Sequence, residues 1–169
     1  MTITKPNFTS NLDQSLYDQI VSVVGTTYSY GSRPVKDIKV IVGYPSDFKK
    51  YKDDLPLIVV QRLGKPTKTQ GEIGGRRVMM TSYYIHVFAG GYNNEKHNEF
   101  MKNGITDLID FGFDMKPFDF KNYDNSPAIT EGIIHPEVVV LDTSRRDKIS
   151  VFENHHSILS VQLSVWIKN

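Results

Sequence analysis

The residues of this chain that could do chemistry are five histidines, one Gly-Lys pair beside threonines, and a few scattered carboxylates. His155 and His156 are adjacent, and His86 and His97 form a looser pair. Imidazole is the commonest ligand for zinc and related ions, but the spacing of these four matches no His-Glu-x-x-His or comparable motif. Neighbouring side chains on a strand point to opposite faces, so His155 and His156 are poorly placed to grip one ion and read as polar residues at the start of a strand. Gly64-Lys-Pro-Thr-Lys-Thr69 lacks both the upstream glycine and the helix that a phosphate-binding loop requires. Asp114, Asp119 and Asp124 have the spacing of no calcium loop. No Gly-x-Ser-x-Gly elbow is present, which leaves only a triad assembled from distant residues as a route to hydrolysis. The residues therefore assign no catalytic group, no metal and no cofactor, and the expectation is a protein that is not an enzyme.

Composition bounds the class further. A chain of 169 residues with 39% hydrophobic content can build one core, and a single domain over residues 1–169 is expected. The 20 Lys plus Arg nearly balance the 19 Asp plus Glu, so a net charge of +1 gives no global attraction to nucleic acid or anionic lipid. With no cysteine, disulfide frameworks and thiolate metal sites are excluded. The opening residues lack the apolar stretch of a signal peptide, and no run approaches the ~20 apolar residues of a membrane span, so a cytoplasmic origin is expected.

The elements that would position these residues are readable from periodicity. Ser157 to Ile167 alternates between apolar and small or polar residues. This predicts a half-buried strand with Leu159, Val161, Leu163, Val165 and Ile167 on one face and Ser160, Gln162 and Ser164 on the other. Leu12, Leu16, Ile20, Val23 and Val24 predict a first amphipathic helix, capped near Ser10–Asp13 and stopped by Gly25, with Asp13, Gln14, Asp18, Gln19 and Ser22 facing water. Ile38–Val42 reads as a short strand. Leu57–Leu63 and Arg77–Ala89 read as a long hairpin around a glycine-rich tip. The second of these strands is apolar on both faces, Met79, Tyr83, Ile85 and Val87 on one and Val78, Met80, Tyr84 and Phe88 on the other, either because it is central and covered twice or because one face meets another subunit. A second helix follows Asn93 or Asn94, with Phe100, Met101, Ile105, Leu108 and Ile109 as its apolar stripe and Gly112 as its end. Phe113–Pro136 reads as a long irregular segment along the domain edge. Glu137–Leu141 and the terminal strand form a second hairpin around a polar tip containing Arg145, Arg146, Asp147 and Lys148. The expected fold is α+β: a mixed, mainly antiparallel β-sheet with two long hairpins packed against two amphipathic helices.

This arrangement resembles the tail terminator, or tail-completion, proteins of tailed bacteriophages. The resemblance rests on the opening amphipathic helix, the strand at Pro56–Val60, the long hairpin, the helix after Asn94, and the final hairpin from Val138 through Arg145 and Arg146 to Ile167. It covers most of the chain, with Phe113–Pro136 as the main departure. It implies a virion structural protein, assembled in the host cytoplasm, that forms a ring, commonly a hexamer. Such a ring sits at the head-proximal end of the tail tube, halts tube polymerisation and presents a head-tail joining surface. The implied partners are further copies of the chain, the tail tube protein and the connector or neck proteins, with neither a membrane nor a specific nucleic acid among them. Subunit contacts are expected at Val78, Met80, Tyr84, Phe88 and at the first hairpin tip, Lys65, Lys68 and Arg76. Contact with the tube or connector is expected at Arg145, Arg146 and Lys148. The alternatives are another neck, connector or baseplate protein of the same particle, or a small hydrolase or nuclease using His155 or His156.

Overall fold

The computed structural model describes residues 7–29, 31–44, 54–68, 78–148 and 153–167. The elements in chain order are α1 (Phe8–Val24), β1 (Thr27–Tyr28), β2 (Lys36–Asp37), β3 (Lys39–Val42), β4 (Leu57–Arg62), β5 (Thr67–Lys68), β6 (Val78–Ala89), α2 (Glu95–Phe113), β7 (Phe118–Asn122), β8 (Ile129–Lys148) and β9 (Glu153–Ile167). The main sheet runs β3-β4-β6-β9-β8-β7, with β5 alongside β6, while β1 and β2 form a separate ribbon. Only β3 and β4 are parallel; the other pairs are antiparallel. The architecture is the expected α+β one, two helices on a mostly antiparallel sheet.

The terminal strand β9 sets the layers. Leu159, Val161, Leu163, Val165 and Ile167 are all buried on one face, as their alternation predicts. Both helices cover that face, each with a row of apolar residues four apart. Leu12, Leu16, Ile20 and Val24 come from α1, and Met101, Ile105, Ile109 and Phe113 from α2. Each fully buried Leu or Ile in these rows stabilises the fold by about 1.5–3 kcal/mol relative to exposure.

Polar contacts fix where α1 sits. Asp13 is half-buried rather than facing water: it accepts from Tyr83 Oη at 2.6 Å and from Arg62 at 2.6 Å, tying α1 to β6 and β4. Burial, reinforced by the hydrogen bond and charge of Asp13, raises the Tyr83 phenol far above its ordinary range. At the other edge Asn11 donates to Asn122 Oδ1 at 3.3 Å and accepts the Tyr123 N–H at 3.2 Å, while Ser15 Oγ accepts the Lys121 N–H at 3.1 Å. Tyr123 donates to Asp18 at 2.6 Å, and desolvation together with that carboxylate pushes its phenol up to about 12.

Several expectations are corrected. α1 begins two residues before Ser10, with Asn7 at its N-cap position accepting the Asn11 N–H at 2.8 Å, and Asp13 is engaged in tertiary contacts instead of capping. Asn94 does cap α2, accepting the Lys96 N–H at 3.0 Å, but the helix runs through Gly112 to Phe113. Of its expected stripe, Phe100 and Leu108 are exposed; Asn98, Lys102 and Thr106 are buried instead. Asn98 clamps the Tyr92 backbone at 3.0 and 2.9 Å, and the Lys102 ammonium donates to the Thr143 carbonyl. The segment Phe113–Pro136 is not irregular. Phe118 and Phe120 alternate with Asp119 and Lys121 as β7, which pairs with the start of β8. Arg145, Arg146 and Lys148 lie within strand β8, in register with His156, His155 and Glu153, and not in a tip.

Because Tyr123 has a raised value in the folded state, its contribution is fully present below pH 10 and is lost as the pH rises toward about 12. Urea midpoints across that interval are expected to fall, and to fall less steeply in Tyr123→Phe. Tyr83 shifts in the same direction, so some slope persists in that variant.

Candidate functional site

The helices cover one face of the sheet, and no described helix lies on the other. Register places the residues of this outer face in rows. Gln61, Tyr84, Ser160 and Val139 form one row, Ser82, Gln162 and Glu137 the next, and Thr67, Met80, Ser164 and His135 the third. Met80, Glu137, Val139, Gln162 and His135 are exposed, and Tyr84 is half-buried.

At one end this face turns apolar. Phe88 packs with Leu57 and Val59 and stacks on His156, ring centroids 4.1 Å apart. His86 Nδ1 lies 3.0 Å from His156 Nε2, and His86 Nε2 lies 2.9 Å from Gln61 Oε1. The amide oxygen can only accept, so His86 donates to it through Nε2. A neutral His86 ring then accepts at Nδ1 from His156. His155, paired with Ala89 on the helix-facing side, points away from His156. Among the described residues no three His, Cys, Asp or Glu side chains lie close enough to hold a metal ion. A concavity of about 380 Å³ opens where the chain arches off β6 between Leu63 and Thr67. Lys65, Thr67, Ser82 and Gln162 line it with an ammonium, hydroxyls and an amide, a set that contains no acid–base pair.

The structure separates the residues expected at the subunit contact. Val78 and Phe88 are buried within the chain, so they face no partner; Met80, 42% exposed, and Tyr84 remain available. Lys65 and Lys68 are exposed beside Met80 at the far end of β6, and Arg76 lies outside the described residues. Arg145 pairs with His156, which faces Phe88, so the two basic clusters sit at opposite ends of the sheet. At 3.2–3.4 Å per residue, the stretch from Met80 to Phe88 spans ~26 Å.

A feature absent from the sequence reading is the free edge of β8. This strand has 20 residues, but β7 pairs only with Ile129–Ile134. The turn after α2 covers the next positions, where the Met115 N–H donates to Pro136 O at 3.1 Å and the Val138 N–H to Asp114 Oδ1 at 3.1 Å. From Val139 to Lys148 no described strand lies beside β8 on the side away from β9. Val139, Val140 and Leu141 are exposed there, next to two irregularities at Val140/Asp142 and Asp142/Arg145. The signal in the sequence is the unbroken run Val138–Leu141, more apolar than a strand with one wet face needs.

A seven-stranded sheet with both helices on one face, and a β8 edge along which no described strand pairs beyond Val138, defines an α+β protein whose distinguishing surface is suited to strand addition. The chain matches no protein-family model and no curated protein.

Burial separates structural from available positions on β6. Phe88→Ala is expected to lower unfolding free energy by about 3–5 kcal/mol, the range for a buried aromatic. Met80→Ala is expected to change it by under ~1 kcal/mol, since the side chain is largely in water. Urea denaturation of the two variants measures both.

Proposed function

We propose that this chain is a structural virion protein of a tailed phage, of the tail-terminator type. It forms a ring at the head-proximal end of the tail tube, stops tube growth and provides the head-tail joining surface. One observation carries the reading, the open edge of β8 beyond Val138 with three exposed apolar residues on it. Long apolar strand edges are normally blunted by charge, proline or a covering element, because they pair with other chains. An edge left open is explained by a partner that adds to it.

The opposite edge of the sheet is β3, Lys39–Val42, whose one partner among the described strands is β4. Two different edges meeting head to tail make a heterologous contact, and such contacts generate rings when the rotation closes. The ring stays structural: the outer face with Met80, Tyr84 and Val139 and the basic ends at Lys65, Lys68, Arg145, Arg146 and Lys148 supply surfaces for the tube and connector. Such charges steer docking and set its register more than they add affinity.

The test uses the alternation of backbone groups. Pro136 and Val138 direct theirs away from β9, so Val140, two residues on, presents its N–H to the open edge as well. Val140→Pro removes that donor without taking a bond from β9. The wild-type chain is expected to give closed rings of about six copies by light scattering and negative-stain imaging. Val140→Pro, and independently Leu141→Lys, is expected to fold with an unchanged circular dichroism spectrum and fail to close. Rings of unaltered mass in both variants would overturn the edge as the contact. A wild-type chain that is monomeric alone and does not bind purified tail tubes would overturn the whole reading.

A further inference from the structure

The open edge of β8 is a short window with a closure at each end. On one side the Pro136 carbonyl accepts the Met115 N–H and the Val138 N–H donates to Asp114 Oδ1, both at 3.1 Å. On the other side the irregularity between Val140 and Asp142 sets one extra residue against β9, and the carbonyl of Thr143 accepts from the ammonium of Lys102, a buried side chain of α2. Between these closures Val140 turns its N–H and its carbonyl outward, by the same two-residue alternation that turns those of Pro136 and Val138. Its side chain, 36% exposed, lies on the helix-covered face with that of Val138.

The edge of β3 has the matching form. Lys39 and Gly43 direct their N–H groups at the Pro56 and Val60 carbonyls beside β4, so Val40 and Val42 turn theirs the other way, where no described strand pairs. The preceding outward group is already taken, since the Ile38 N–H donates to Thr26 O at 2.9 Å. Val40 is buried in the helix-covered core, and Val42, on the same face, is 44% exposed.

We propose, resting on the strand-addition reading above, that β3 of a second copy seats in this window in one register, antiparallel to β8, with Val42 opposite Val140. Within one chain β3 runs opposite to β8, as the pairings through β4, β6 and β9 require. A head-to-tail repeat that continues the sheet keeps those directions, so the two edges meet antiparallel. Val140 and Val42 then exchange two backbone hydrogen bonds, and their exposed side chains pack together on one face. The same register brings Lys39 to the end of the window that holds Asp142, where opposite charges meet.

The closures exclude the neighbouring registers. With Val40 opposite Val140, Val42 falls against Val138, whose N–H is held by Asp114, and Ile38, held by Thr26, falls at the Thr143 end. The opposite shift puts Val42 against Thr143, whose carbonyl is held by Lys102. A shift of one residue sets outward groups of one strand against groups of the other that are spent within its own sheet.

The chain has no cysteine, so crosslinking reads the register directly. Opposed Cα atoms in such a pair lie about 5.5 Å apart, within the span of a disulfide, and diagonal ones about 7–8 Å, beyond it. Val140→Cys mixed with Val42→Cys and oxidised with diamide is expected to give a covalent dimer on non-reducing gels, with neither variant dimerising alone. Val140→Cys mixed with Tyr44→Cys, an exposed position two residues further on, is expected to give none. A dimer through Tyr44 overturns the register, and a dimer of Val140→Cys alone overturns the pairing with β3 in favour of a two-fold contact between β8 edges. Closed rings by light scattering with no crosslink between Val140→Cys and Val42→Cys overturn this inference and leave the ring standing. A Val140–Val42 crosslink in a chain that closes no ring sustains the strand contact and overturns the ring. Circular dichroism of each variant confirms folding, since all three substituted side chains are exposed.

Discussion

The two-residue period of β9 is the constraint on which the rest of the structure depends. The strand is paired on both sides over most of its length, to β6 from His155 to Trp166 and to β8 from Glu153 to Ile167. Every second residue from Leu159 enters the core. A slip of one residue against either neighbour would drive Ser160, Gln162 and Ser164 beneath the helices and turn five apolar side chains into water. Such a slip forfeits on the order of ten kcal/mol of burial at about 1.5–3 kcal/mol per side chain, a large part of the net stability of a domain this size. The rows of α1 and α2 can be four-residue stripes because the surface they meet is already fixed in register.

With both helices on one side, the sheet has two faces of different character. The covered face is mainly aliphatic, with Phe118 and Phe120 at the β7 side, Thr81, Ser157 and His155 among its smaller or polar groups, and Tyr83 anchored by Asp13. The outer face grades from the apolar end at Leu57, Phe88 and His156 to a polar and partly aromatic region around Gln162, Ser164 and Trp166. The buried histidine pair belongs to the first of these. His86 engages His156 Nε2 through Nδ1 and Gln61 through Nε2, and the His156 ring stacks on Phe88.

Elements whose own pattern determines them were legible in the sequence. β9, the buried row Leu12, Leu16, Ile20 and Val24 of α1, the positions Met101, Ile105 and Ile109 of α2, the pairing of β4 with β6, and a cap at Asn93 or Asn94 all follow from periodicity or from a residue with a specific backbone role. What escaped is decided by distant partners. Asp13 looks like a capping or solvent-facing carboxylate until β4 and β6 bring Arg62 and Tyr83 to it. Phe118 and Phe120 alternate correctly, but the prolines and aromatics around them obscured a five-residue strand that exists because β8 is there to pair with. Phe88 looked available for a partner because its strand is apolar on both faces, and only the assembled sheet shows that Leu57 and Val59 already cover it. The site fared worse than the fold for the same reason: which edge of a sheet is left open is a property of topology, and the apolar run Val138–Leu141 marks the stretch without reporting that the β7 pairing along β8 reaches only Ile134.

The ties between α1 and β7 also set the order in which this protein can be made. Asn7 reaches Asp124 across 117 positions, Asn11 reaches Asn122 across 111, and the Lys121 N–H reaches Ser15 across 106. At 5–20 residues per second, α1 leaves the ribosome on the order of ten seconds before the strand it docks on, and still longer before β9 arrives. A helix of 17 residues is marginal alone. Its Leu12, Leu16 and Ile20 therefore wait in water until the last strand emerges. Core formation in this chain waits for β9, with the slow, long-range closure that high contact order imposes.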